Sequence, residues 1–135
     1  MQNRTFKIVM SERCFRFKPE ALGNHAPHQP DVYEFVTFDE KVQPIVLYVG
    51  VSLPGTIYDA LAGHMMGNLK PSSDELFKAA KDVYFDYVAS ADVGSPEDFK
   101  DIAGALIAKH RPKLNPAEKI PSSGQYAAVA LEEVA

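Results

Sequence analysis

One stretch, Ile45–His64, constrains this chain more than any other. Ile45-Val46-Leu47-Tyr48-Val49 is a run of β-branched and aromatic residues suited to a buried strand. Gly50 breaks the run and Pro54-Gly55 turns the chain. Ile57, Leu61 and His64 then recur at i, i+4 and i+7, the spacing of one helix face. Thr56 is a good N-cap and Gly67 a good stop, so a helix is expected from about Thr56 to Met66. A strand that ends in glycine and feeds a helix across a short loop builds one wall of a pocket.

The flanking sequence supplies partners for that unit. Asp31–Phe38 reads as a strand, Asp39-Glu40-Lys41 as a polar turn, and Val42–Val49 as the returning strand of a hairpin. Ser72 with Glu75 makes a capping box for a short helix whose buried stripe is expected to be Leu76, Phe77 and Ala80. Val83–Val88 is a third strand. Ser95-Pro96-Glu97-Asp98 has the cap, proline and acids of a helix start, followed by Phe99, Ile102, Ala103 and Leu106 on one face, and Pro112 ends the run. The order hairpin, helix, helix, strand, helix predicts a small layered α/β domain with a short central sheet flanked by helices. Arg4–Lys18 alternates loosely and holds one or two short strands. Pro19–Pro30, with three prolines and a glycine before the strand, reads as a linker, and its His25 and His28 as loop residues rather than metal ligands. The expected division is residues 1–30 as an N-terminal extension and Pro-rich linker, 31–116 as the domain, and 117–135 as an arm that is either a frayed helix or an added strand.

Composition narrows the class. The 135 residues suffice for one core, and the single cysteine, Cys14, excludes an internal disulfide framework and any multi-cysteine zinc site. No apolar run approaches the roughly 20 residues of a membrane span, which points to a cytoplasmic protein with no membrane partner. A net charge of −4 argues against a dedicated nucleic-acid binder, because phosphate contacts dominate such affinity. The charge is uneven: residues 1–18 carry five basic and one acidic residue, whereas 19–98 carry four and thirteen. The part of the chain that should form the pocket is therefore acidic.

Three pieces, in order, resemble the GIY-YIG nuclease superfamily. Asp31-Val32-Tyr33 stands where that family has Gly-Ile-Tyr or Gly-Val-Tyr, and Tyr48-Val49-Gly50 where it has Tyr-Ile/Val-Gly. Leu106-Ile107, the basic residues Lys109, His110 and Arg111, Pro112, and then Asn115 are similar to the family's terminal helix and its exit. The resemblance spans roughly residues 30–116 and is closest to the excision-repair incision-subunit branch. It implies that Tyr33 and Tyr48 line a site around an attacking water, that His64 occupies a position usually His or Tyr, and that Asn115 matches the closing asparagine. In that family an arginine on the first helix binds the scissile phosphate and a glutamate on the terminal helix binds one divalent cation. This is a sensible division for phosphodiester cleavage.

The charged pair does not carry over. Counting from His64, the arginine position is Ala60; counting from Tyr48-Val49-Gly50 it is Tyr58, and no lysine or arginine occurs between Lys41 and Lys70. The glutamate position is Ala103. Asp101 lies roughly 200° around the helix from it, and Glu97 is also off that face. Asp31 puts a negative charge where the motif has its first glycine. Losing one transition-state donor costs about 3–4 kcal/mol, and losing the metal ligand at least as much, while alanine keeps both helices intact. The resemblance thus implies a catalytically degenerate domain acting as a binding or scaffold module for protein or nucleic acid. Its vestigial site would be Tyr33, Tyr48, Gly50, His64 and Asn115, with weak phosphate contacts at Lys109, Arg111 and Lys113. No cofactor is expected of such a module. The rival expectation is a structure-selective endonuclease that uses Mg2+ or Mn2+, with its missing groups supplied from Arg13, Arg16 or a second chain.

Each residue also has a plainer reading. Tyr33 and Tyr48 suit packing with wet hydroxyls, and His64 a hydrogen-bonded place at the core edge. The cations at Lys109–Lys113 suit a solvated helix end. Gly50 suits the backbone geometry of the strand-to-helix break, and Cys14 is an inert thiol.

Overall fold

The computed structural model describes residues 1–134. The chain is mixed α/β, and strand β1 (Asn3–Met10), strand β2 (Phe15–Arg16) and helix α1 (Pro19–His25) precede the hairpin. The hairpin is β3 (Val32–Phe38) and β4 (Pro44–Val51), followed by α2 (Ile57–Met65), α3 (Ser73–Ala79), β5 (Tyr84–Ala91), α4 (Asp98–His110) and β6 (Ala128–Glu133). The sheet runs β4-β3-β5-β1-β6, with β2 pairing β5 beside the end of β1. Every pairing is antiparallel except β1 with β6. The order expected across residues 31–110 is the order observed.

Local chemistry explains most boundaries. Thr56 and Ser72 each close a capping box, with Asp59 and Glu75, and Gly67 stops α2 at φ +82°. The start of α4 differs from the Ser95 cap expected from sequence. Ser95 lies in the preceding turn and Glu97 is the cap residue. Asp98, the first residue of the helix, reaches back with Oδ2 to accept from the Gly94 and Ser95 N–H groups at 2.7 and 3.3 Å. Proline-rich residues 19–30 are likewise not a plain linker: Pro19 starts α1, a tolerated first-turn position, and Ala21, Leu22 and Ala26 are buried.

The sheet separates two cores, as strand alternation requires. On one face Phe17, Leu22, Tyr33, Phe35, Leu61, Leu76 and Phe85 pack with α1, α2 and α3. On the other Phe6, Ile8, Val32, Val49, Val88, Ile102 and Leu106 pack with α4. Leu76 of the α3 stripe is fully buried, but Phe77 is 45% exposed, because a helix of seven residues turns only a narrow stripe inward. Both chain ends join the sheet. β1 lies between β5 and β6, and β6 resolves the open choice for the C-terminal arm in favour of an added strand. Two buried aspartates on α4 secure the segment leading to β6. Asp101 accepts from Ser123 N at 3.0 Å and from its hydroxyl at 2.5 Å, and Asp98 Oδ1 accepts from the Tyr126 hydroxyl at 2.9 Å.

Candidate functional site

Tyr33 on β3, Tyr48 and Gly50 on β4, His64 on α2 and Asn115 beyond α4 are separated by up to 82 residues and meet at one end of the sheet. Tyr33 lies directly across from Gly50 in the β3–β4 ladder. A Cβ at position 50 would sit 2.5 Å from both Cζ and the hydroxyl oxygen of Tyr33, so the glycine makes room for that ring. Gly50 is therefore explained by a close approach across the ladder rather than by the strand-to-helix break.

His64 is 1% exposed, deeper than the core-edge place expected for it, and both ring nitrogens are engaged. Nδ1 faces the Pro71 carbonyl oxygen at 2.8 Å, which can only accept, so Nδ1 carries the proton. Nε2 is then the acceptor for the Tyr33 hydroxyl at 2.6 Å. Burial lowers the His64 pKa, though the Pro71 bond opposes this, and the ring is neutral around pH 7. Burial likewise raises the pKa of Tyr33, with the neighbouring Tyr48 adding to it, and burial raises that of Tyr48. The Tyr48 ring meets His64 edge-on at 5.5 Å and lies 6.5 Å from that of Tyr33. These groups are a neutral, hydrogen-bonded aromatic cluster.

Asn115 acts on backbone. Its Oδ1 accepts from Val49 N at 2.8 Å and its Nδ2 donates to Val49 O at 2.9 Å, so the amide replaces a neighbouring strand along β4, an edge of the sheet. Leu114 N donates to Leu47 O at 3.0 Å on the same edge.

Beside this cluster lies an open groove of about 510 Å³, lined by Tyr48, Gly50, Asn115 and Ala103, with Lys100 and Lys119 as its cations. Among the described residues its lining holds no carboxylate and no arginine. Ala103 is buried against the sheet, and Ala60 faces the core on the α2 side. Lys100 is drawn to Glu97 at 2.8 Å. The expected phosphate contacts divide: Lys109 meets Glu133 at 3.5 Å, whereas Arg111 and Lys113 line a separate depression with Thr37 and Ile45. Arg16 pairs with Asp82 at 3.5 Å and lies over the Tyr84 ring. At the hairpin base, Asp31 Oδ1 accepts from Val32 N at 2.7 Å.

Sequence reasoning passed over Lys100 and Lys119, and it missed an acidic pair, one buried and one half-buried. Glu34 on β3 and Asp86 on β5 are directly opposed on the α4 side of the sheet. The signal was present: each is a lone carboxylate at the centre of an otherwise apolar or aromatic strand, Val-Tyr-Glu-Phe-Val and Tyr-Phe-Asp-Tyr-Val. Cys14 approaches the same pair. Its Sγ lies 3.8 Å from Asp86 Oδ2, and burial first, then the Asp86 charge, pushes the thiol up to about 12, in keeping with an inert thiol.

Compared with protein-family models, curated proteins and solved structures, the chain matches none. Among the described residues no helix is long and apolar enough to cross a membrane, and no group of three or more His, Cys, Asp or Glu side chains is placed to hold a metal ion.

Proposed function

We propose that this chain is a GIY-YIG-like domain without nuclease chemistry that works as a binding module through the groove beside Tyr48. The observation that carries this reading is the groove's composition: Tyr48, Gly50 and Asn115 lie together, and the wall where the resemblance calls for a metal-binding glutamate is the methyl group of Ala103. Two further features support it. His64 has no free nitrogen to act as a base, and no guanidinium lines the groove to meet a developing phosphorane charge. Lys100 and Lys119 favour an anionic partner, and weak nucleic-acid binding follows from two lysines in a chain of net charge −4.

The decisive experiment incubates the protein with plain and branched DNA in the presence of Mg2+ or Mn2+. No nicking is expected, and cleavage that disappears in Tyr48→Phe would overturn the proposal in favour of an endonuclease with unconventional groups. A binding titration over a range of salt concentrations reads the partner. Weak, salt-dependent binding should fall in Lys100→Ala/Lys119→Ala, with a shallower salt slope. A flat response would leave protein as the partner.

A further inference from the structure

Glu34 is 4% exposed, and its Oε2 has no hydrogen-bond partner; nor has Oδ1 of Asp86. Both carboxyls line a depression of about 310 Å³ between the sheet and the last turn of α4. Apolar side chains, among them Met10, Val46 and Leu106, share its remaining lining with Lys109, His110 and Glu133. A buried acceptor without a donor costs about 1–3 kcal/mol, more when charged, so two at one spot mark a site shaped for something else. The helix end adds to the demand, because the C-terminus of α4 presents partial negative charge to a place that already holds two acids.

The protein's own cations do not meet this demand. Lys109 is engaged with Glu133 on β6 at 3.5 Å. His110 Nε2 stops 3.8 Å from Glu34 Oε2, beyond hydrogen-bonding distance, and burial followed by the charge of Lys109 lowers its pKa. Cys14 offers Asp86 only a weak thiol donor. Glu34 and Asp86 are directly opposed in the β3–β5 ladder, and burial followed by the Asp86 charge holds Glu34 far above the usual carboxylate range, so the pair keeps a proton.

We infer that this depression binds a small organic cation, a primary ammonium on a short alkyl chain, with the ammonium between Glu34 and Asp86 and the alkyl chain against the apolar wall. Oε2 and Oδ1 accept the ammonium protons. The proton held by the pair leaves to solvent, so the singly protonated pair becomes a dicarboxylate neutralised in part by the bound cation. A metal ion is the poorer fit, because among the described residues no set of three ligands is placed to hold one and half of the lining is apolar. Apolar lining with a few convergent polar groups is the usual form of a small-molecule site.

The test titrates n-butylammonium and, separately, Mg2+ into the full chain, following amide shifts at Glu34, Asp86 and Leu106 by NMR and heat in two buffers of different ionisation enthalpy. Saturable n-butylammonium binding is expected, with about one proton released per site and affinity rising about tenfold per pH unit while the pair holds its proton. Glu34→Gln, which keeps the size of the side chain and offers Asp86 an amide donor, should weaken binding about tenfold or more while leaving the melting temperature unchanged or higher, and Asp86→Asn should weaken it similarly. The inference is overturned by no saturable shift up to tens of millimolar, by equal binding in both variants, or by Mg2+ saturating the same amides in preference to the amine.

Discussion

Tyr33 donates its phenolic proton to Nε2 of His64 at 2.6 Å, and this bond fixes the state of both residues. With Nδ1–H directed at the Pro71 carbonyl, the imidazole holds one tautomer in a buried place, and neither group is free for proton transfer to a ligand.

Tyr33→Phe should therefore act on stability. It keeps the ring and leaves a buried imidazole acceptor unpaired, which costs about 1–3 kcal/mol. Urea denaturation should show the loss, and the nitrogen shifts of His64 should still report the Nδ1–H tautomer, because the Pro71 bond remains. An unchanged midpoint, with His64 titrating near its ordinary value of 6.5, would show that the bond carries no weight.

Gly50→Ala tests the close approach behind that bond. The new methyl overlaps Cζ and the hydroxyl oxygen of Tyr33, which must move or push β3 and β4 apart. Overpacking of this kind costs about 1–3 kcal/mol. A double-mutant cycle with Tyr33→Leu, which removes the overlapping atoms, should show a smaller penalty for alanine than in the parent chain. Equal penalties in both backgrounds would place the glycine's importance in the backbone.

How far the site was legible in sequence follows from the range of the interactions involved. The Thr56 cap and the Ser72 capping box are set within a few residues, and the structure has them where the sequence puts them, whereas the second hairpin strand runs Pro44–Val51 rather than Val42–Val49, because Gly50 pairs with Tyr33 in the ladder instead of ending it. Tyr33, Tyr48, His64 and Asn115 could be singled out as candidates, but what they bond to depends on residues far away in the chain, and sequence spacing carries no trace of the Pro71 carbonyl or of Val49. The opposition of Glu34 and Asp86 is set by the β3–β5 register across 52 residues and so could not be read from either strand alone. Helix α1 was hidden because proline counts as a breaker in general but starts a helix well at its first position.

Asn115→Ala should loosen the sheet edge selectively. It removes both bonds to Val49, leaving the amide and carbonyl of a nearly buried residue without their partner, at about 1–3 kcal/mol. Hydrogen exchange should quicken at the Val49 amide far more than at Phe35 in the central strand. Uniform quickening across the sheet would instead indicate global destabilisation, with no particular role at the edge.

Asp31 gives stability a pH dependence opposite to that of most surface carboxylates. Burial pushes its carboxyl up to about 6 from the ordinary 3.8, although the Val32 N–H donated to Oδ1 pulls the other way. A folded-state pKa above the unfolded one means that folding favours the protonated form. The stabilising contribution is full below 3.8, declines as pH rises, and is lost once pH passes about 6. Asp31→Asn keeps an oxygen for the Val32 N–H and cannot ionise, so it should melt higher than the parent chain around pH 7. That advantage should shrink as the pH falls through 6 and vanish below 3.8, where both side chains are neutral. Melting curves of the two proteins across this window check the sign directly, and a parent chain that gains on the variant as pH rises would mean that the Val32 bond outweighs burial.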